Sequence, residues 1–557
     1  MHNWAIAVMA KFQESSPGAI FLWLRVHPSH LRCQDESSNY TNHPAFMAKQ
    51  QFSIAQHYHE RTKYDPETLA SKKHFIDWSQ QPVPFKDYKI GATIDLKPYL
   101  KKRPELEHDP ARTGLERLSR LLFCSYGLTA KVSTMMGTPL YLRAAPSAGG
   151  LYPAELYLIS LGTAELPPGL YNYQTKTHSL IRFWDSDVWP TLKSATFWHP
   201  AFDTTKLALA TTAVFYRSAW RYEDRAYRRV FLDTGHLLGN IELAGSFTDY
   251  RPHLIGGFLD DALNELLYLD PDQEAVTTLM PLADLRKLDE NLPPYRTALP
   301  SGVKKDYPDI RDGELLAYCH QATKIDADTT GQEGWTMVDR SSEDDKYNFP
   351  FCTKVSTKSQ PIDWGDRLTG LETTILRRRS TREYNGGAIA LAQLNAILDF
   401  TYHPSHYSYQ GLDPSPDFFD RQLISTFVAV LSVNGLDVGC YYYAPMAQEL
   451  RQVRFKNFRQ ELHYLCLGQE LGRDAAAVIF HTADLKKAVE KFGDRAYRYL
   501  HLDAGHLGQR INLGALYLGV GVSGIGGFFD DQVNQVLGIP EDEAVLYITT
   551  LGCPRTA

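Results

Sequence analysis

The chain repeats itself, and the repeat decides what it can fold into. Arg225-Ala226-Tyr227-Arg228 returns as Arg495-Ala496-Tyr497-Arg498, and Leu232-Asp233-Thr234-Gly235-His236-Leu237 returns as Leu502-Asp503-Ala504-Gly505-His506-Leu507. Ile255-Gly256-Gly257-Phe258 with Asp260-Asp261 returns as Ile525-Gly526-Gly527-Phe528 with Asp530-Asp531. A single shift of 270 residues carries each block onto its copy, and 18 of the 40 positions from Arg225 to Asn264 match without a gap. So long a period belongs to a duplicated domain and not to a solenoid. At 557 residues the chain also exceeds what one hydrophobic core serves.

Each copy reads as α+β. Apolar residues at three- and four-residue spacing predict long buried helices over Arg225–Ala244 and Arg495–Ala515. A Gly-Gly-Phe turn follows, then a second helix opened by the paired aspartates, which read as N-caps. Ala275–Met280 and Ala544–Leu551 close the copies as strands. Earlier come strand pairs at Leu156–Ser160 with Gly169–Tyr173, and at Val428–Ser432 with Gly439–Tyr443. The expected domains are residues 47–300 and 366–557, joined by a polar, Pro/Gly/Asp-rich linker at 301–365 with a helical pattern over Glu314–Thr323. Residues 1–46 read as a disordered extension, with Met47 an alternative start.

Composition excludes several classes. A net charge of -7 gives no basic field for nucleic acid. The seven cysteines form no C-x-x-C pair, so no zinc or dithiol site is expected, and their scatter fits a reducing cytoplasm. No run approaches the roughly 20 apolar residues of a membrane span. No Lys or Arg precedes Ala5, which argues against a signal peptide. A strand followed by Gly-x-Gly-x-x-Gly is missing, so no Rossmann site is indicated. His236 and His506 read as core histidines inside the repeated helices.

Two segments differ between the copies and carry the chemistry. Copy two holds Arg377-Arg378-Arg379-Ser380-Thr381-Arg382-Glu383-Tyr384, a set of guanidiniums and a hydroxyl suited to phosphate oxygens or, alternatively, a solvated surface patch. Copy one holds Arg143-Ala144-Ala145-Pro146-Ser147-Ala148-Gly149-Gly150-Leu151-Tyr152-Pro153. Its glycines admit a flat ligand close to the backbone and Ser147 is a donor; a plain loop before a strand reads equally well.

Together with the terminal Leu551-Gly552-Cys553-Pro554-Arg555, these motifs resemble the nitroreductase superfamily, and most closely its SagB-type dehydrogenase branch of azoline oxidases. The resemblance implies an antiparallel sheet flanked by helices, dimerisation, and flavin mononucleotide (FMN) in the interface. The fused copies would then form an intramolecular pseudodimer. Copy two would contribute Arg378, Arg379, Ser380, Arg382, Gly526, Gly527 and Arg555 to the cofactor site, and copy one Pro146, Ser147 and Gly149. The reciprocal site would be made of eroded parts, with Lys101-Lys102-Arg103-Pro104-Glu105-Leu106 in place of the arginine-serine motif. One flavin per chain follows.

Azoline-oxidising relatives place a Lys-Tyr pair before the repeated helix; here the copies read Arg221-Tyr222 and Lys491-Phe492, leaving Tyr222 and Lys491 as separate acid-base candidates. The implied activity is hydride transfer at flavin N5, with NAD(P)H or a small-molecule or peptide-derived substrate as partner. The alternative is a pseudodimeric scaffold that binds a peptide or protein without turnover.

Overall fold

The computed structural model describes residues 52–71, 76–101, 109–133, 139–287, 293, 295–326, 335–337 and 345–555. The expected extension at 1–46 and residues 102–106 of the eroded motif lie outside them. Contacts separate the chain into two units, the larger comprising residues 52–130 and 141–556. The described residues of the smaller unit are 131–133 and 139–140, which include the ends of two short strands, β2 (Leu128–Val132) and β3 (Leu140–Arg143).

The larger unit holds two seven-stranded sheets with the same winding. In the first lobe the strands are β1 (Ala92–Asp95), β4 (Ala154–Ser160), β5 (Gly169–Gln174), β6 (Ser179–Trp184), β7 (Leu207–Val214), β8 (Tyr250–Pro252) and β9 (Glu274–Asp284), in the order β1-β6-β5-β4-β7-β9-β8. In the second lobe they are β10 (Lys354–Ser356), β12 (Ser425–Val430), β14 (Gly439–Ala444), β15 (Glu449–Arg454), β16 (Ala477–Asp484), β17 (Gly521–Ile525) and β18 (Glu543–Gly552), in the order β10-β15-β14-β12-β16-β18-β17, while β11 (Ile389–Ala390) and β13 (Val433–Asn434) form a separate two-stranded sheet. The described pairings in both seven-stranded sheets are antiparallel. The central β4 and β12 are buried throughout, which fits their Leu/Ile/Val/Phe/Tyr content and helices on the sheet faces. The α+β class and the tandem repeat are as the sequence predicts.

Each lobe sends one long helix to the seam: α3 (Ala226–Thr248) and α8 (Ala496–Tyr517), both buried along almost their whole length. They cross at the repeated glycines. A Cβ on Gly235 would stand 2.2 Å from the Leu502 carbonyl oxygen, and one on Gly505 would stand 2.3 Å from that of Leu232. The two backbones touch on a pseudo-twofold axis, where no side chain fits. This is why Gly235 and Gly505 recur in the two copies.

The paired aspartates depart from the N-cap reading. Leu259 and Phe529 hold the cap positions of α4 (Asp260–Leu266) and α9 (Asp530–Leu537), and neither makes a side-chain cap. Asp260 instead reaches across the seam to Arg495 at 2.6 Å and Arg498 at 2.7 Å. Asp530 does the same to Arg225 at 2.8 Å and Arg228 at 2.7 Å. The four arginines and two carboxylates are all buried. Despite burial, the paired guanidiniums hold both carboxyls below their usual range. The tyrosines of the same motif, Tyr227 and Tyr497, converge edge-on upon Tyr58 of α1 (Ile54–Arg61). No described helix is long and apolar enough to cross a membrane.

Candidate functional site

The arginine-serine motif begins where α6 (Thr369–Arg377) ends, with Arg378 leaving helical geometry. The chain then runs along the sheet edge. Thr381 N–H donates to the Val522 carbonyl (2.8 Å), and Arg555 N–H donates to the Glu383 carbonyl (3.1 Å). These two tethers bring the terminal arginine beside Arg382, although the two are 173 positions apart. Arg382 and Arg555 are exposed, and Ser380 is half-buried.

Arg378 is 4% exposed and crosses to the first lobe. Its Nε donates to the Ala144 carbonyl (2.7 Å) and its Nη2 to the Arg143 carbonyl (3.2 Å). Its remaining nitrogen, Nη1, is buried with no acceptor among the described residues. Burial pulls the guanidinium down to about 10, and the charges of Arg379 and Arg382 push the same way. Arg379 is docked on Thr129, at 3.1 Å to both its hydroxyl and its carbonyl, so it braces the seam. Ser380 and Arg382 make no hydrogen bond among the described residues.

The opposing loop of the first lobe is held from below. Ser147 Oγ donates to Asp233 Oδ2 (2.6 Å), Ala148 N–H donates to the same carboxylate, and Tyr152 N–H donates to Ser147 Oγ (2.8 Å). The Ser147 hydroxyl thus organises its own loop, whereas the sequence reading made it a donor to a ligand. Pro146 is half-buried beside it. Gly149 is exposed at φ +65°, and a Cβ there would stand 2.9 Å from the Tyr222 hydroxyl and 3.5 Å from Arg221 Nη1.

Of Gly524, Gly526 and Gly527 in the second lobe, Gly526 is linked to this loop through Arg229 and Tyr222. A Cβ on Gly524 would meet the Tyr547 hydroxyl, one on Gly526 would stand 2.0 Å from Arg229 Nη1, and one on Gly527 would stand 3.0 Å from Leu467. Gly524 is exposed and Gly526 and Gly527 are half-buried, so this seam stays open. Beneath it, Tyr547 Oη meets His236 Nε2 at 2.9 Å, and His236 Nδ1 meets Gln509 Oε1 at 2.9 Å. Burial holds His236 near 4, hence neutral at ordinary pH.

The reciprocal seam is filled. Phe419 stacks on Tyr499 with centroids 4.7 Å apart, and Phe492 meets Tyr499 edge-on. A Cβ on Gly256 would stand 2.3 Å from Phe419 and 2.6 Å from Tyr499, and one on Gly257 would stand 2.6 Å from Leu299. Both glycines are buried. Tyr499 Oη bonds the Gly256 and Leu299 carbonyls. Lys491 is ion-paired to Asp420 on this filled side. The structure therefore brings Tyr222 to the open seam and leaves Lys491 away from it.

Asp503 of α8 grips the Phe419–Asp420 backbone just as Asp233 grips the Ser147–Ala148 loop. Burial pushes both carboxyls up to about 7 against their hydrogen bonds. For Asp503 the folded value lies above the unfolded one. The folded state then binds the extra proton between about pH 4 and 7, and stability from this group falls as pH rises through that window. We expect the melting-temperature advantage of the wild type over Asp503→Asn to shrink from pH 4.5 to 7 and level off above. An advantage that grows with pH refutes this.

The sequence signature described as the Nitroreductase family matches residues 109–283 and 375–553, one match in each lobe. The chain belongs to the nitroreductase family. A solved structure of a candidate nitroreductase from Anabaena variabilis is 65% identical and superposes with a TM-score of 0.86, covering 90% of this chain and all of that one. A candidate nitroreductase from Methanocaldococcus jannaschii is 29% identical over 171 residues, which are 31% of this chain and 85% of that protein. Nitroreductase-family proteins are generally flavin-dependent oxidoreductases. The open seam suits a phosphate-bearing flavin on its own chemistry: an orphaned buried guanidinium nitrogen, a serine and an arginine beside it that make no hydrogen bond among the described residues, and Gly524, Gly526 and Gly527, which stay partly exposed.

Proposed function

We propose that this chain is an FMN-dependent oxidoreductase with one composite flavin site, in the open seam. The observation that carries the reading is the asymmetry of the two seams. One presents donors without partners among the described residues and partly exposed glycines, with Arg229 against Gly526, while Phe419, Tyr499 and Leu299 bury the mirror-related Gly256 and Gly257.

In this reading Arg378 Nη1, Ser380, Arg382 and Arg555 hold the phosphate and neutralise its charge. Arg379 contributes by fixing the motif on Thr129. Gly526 and Gly527 present backbone to the ring, and the Pro146–Gly149 loop, clamped by Asp233, closes over it from the other lobe. When bound, the flavin supplies two-electron hydride chemistry that amino-acid side chains lack. Tyr222, whose hydroxyl lies at Gly149, is the side chain placed to hold or release a proton on the substrate side. A nicotinamide serves as electron donor, or the substrate itself reduces the site. Assignment to the SagB-type branch rests on the motifs quoted above, and the exchange of its Lys-Tyr pair for Arg221-Tyr222 speaks against azoline oxidation.

The test is stoichiometry. Protein reconstituted with excess FMN and freed of unbound cofactor should carry close to one FMN per chain, and NADH or NADPH should bleach its visible absorbance. Two FMN per chain, or none, removes the composite-site reading. A bound flavin that no donor bleaches favours a scaffold without turnover.

A further inference from the structure

The flavin reading gives no role to Arg229, a charged side chain at the open seam. Arg229, in the first turn of α3, is 6% exposed. Its Nε is buried with no partner, its Nη1 lies against Gly526, and its plane sits 3.9 Å from the Tyr222 ring centroid. It makes no ion pair or hydrogen bond among the described residues. Asp233, one turn further along α3, is occupied by Ser147 and Ala148. A second guanidinium, Arg221, stands over the Trp78 ring and beside the Gly149 position.

The Arg229 Nε, buried without an acceptor, is costly in the free protein, and the Asp233 carboxyl one turn away feels the charge of Arg229 but is engaged by Ser147 and Ala148. The repeat shows the inexpensive solution: the equivalent position in the filled seam is Tyr499, neutral and satisfied by two carbonyls. Retaining arginine only on the open side makes physical sense where a ligand brings the missing anion. The surrounding walls are flat, being the Tyr222 and Trp78 rings and glycines without side chains.

We propose that Arg229, assisted by Arg221, is the anion-recognition residue of the open seam, and that the substrate is a planar molecule bearing a carboxylate. This deepens the flavin reading by naming the substrate class. A nicotinamide donor also carries anions, in its phosphates, and the experiment separates the two sources.

Benzoate and the neutral benzamide are titrated calorimetrically into the purified protein, alongside NADH and NADPH, and the series is repeated with Arg229→Gln, Arg229→Lys and Arg221→Gln. Benzoate affinity should fall about ten- to a hundredfold in Arg229→Gln, recover largely in Arg229→Lys, and weaken less in Arg221→Gln. Benzamide and both nicotinamides should be indifferent to these changes. Equal benzoate binding by wild type and Arg229→Gln overturns the proposal, as does a loss confined to the nicotinamides. Should Arg229→Gln fail to fold, Arg229→Lys and Arg221→Gln carry the test. FMN content is measured separately. A colourless protein with Arg229-dependent benzoate binding sinks the flavin reading and leaves the anion site standing. A fully loaded one indifferent to Arg229 does the reverse.

Discussion

Arg378→Ala combined with Arg382→Ala should leave the purified protein almost free of FMN. Among the described residues, Arg378 offers a buried nitrogen with no other acceptor, and Arg382 an exposed guanidinium engaged by nothing else. Hydrogen bonds to charged groups are each worth about 1.5–3 kcal/mol, so losing both weakens binding by about a hundredfold or more. FMN content from absorbance, and Kd from quenching of flavin fluorescence, read this out. Because Arg378 also fastens the Ala144 carbonyl, its removal loosens the seam, and Arg382→Ala alone serves as the control. That single variant should melt like the wild type yet bind FMN about tenfold more weakly. Unchanged affinity in the double variant would remove the phosphate assignment.

The largest stability effect should come from Asp260→Ala. It leaves Arg495 and Arg498 buried without their carboxylate, and breaking such a pair typically costs about 3–5 kcal/mol. Asp530→Ala should match it, since it strands Arg225 and Arg228 in the mirror position. The neighbouring Asp261 provides the contrast. It is largely exposed and, among the described residues, pairs with Lys324 alone, so Asp261→Ala should cost less than about 1 kcal/mol. Denaturant midpoints of the three variants decide the matter. Similar losses at Asp260 and Asp261 would mean that the inter-lobe ion cluster does not hold the lobes together.

The fold was legible because its signals are local or repeated. Apolar spacing marks the long helices, short continuous runs of aliphatic and aromatic residues mark the central strands, and the repeat makes two lobes of them. The site was legible as segments but not as contacts. Asp260 reads as a helix cap because its true partners, Arg495 and Arg498, lie more than 230 positions away. Ser147 and Arg379 have the right chemistry for a ligand, yet each satisfies a nearby group first, Asp233 and Thr129 respectively. Arg229 did leave a trace: within the matching block, Arg225-Ala226-Tyr227-Arg228-Arg229 faces Arg495-Ala496-Tyr497-Arg498-Tyr499, and that last mismatch marks the difference between open and filled seams. The plug itself, Phe419 and Leu299, comes from segments outside the closely matching block and carries no pattern.

The crossing of α3 and α8 at Gly235 and Gly505 sets what duplication within one polypeptide allows. In a dimer of identical subunits, a residue introduced on one side of that axis appears on the other, so an aromatic that blocked one pocket would block both. Once the halves are covalently joined, the axis survives in the backbone while the side chains around it are released from it. An arginine and a tyrosine can then occupy equivalent places, and one pocket can be sacrificed to buttress the other.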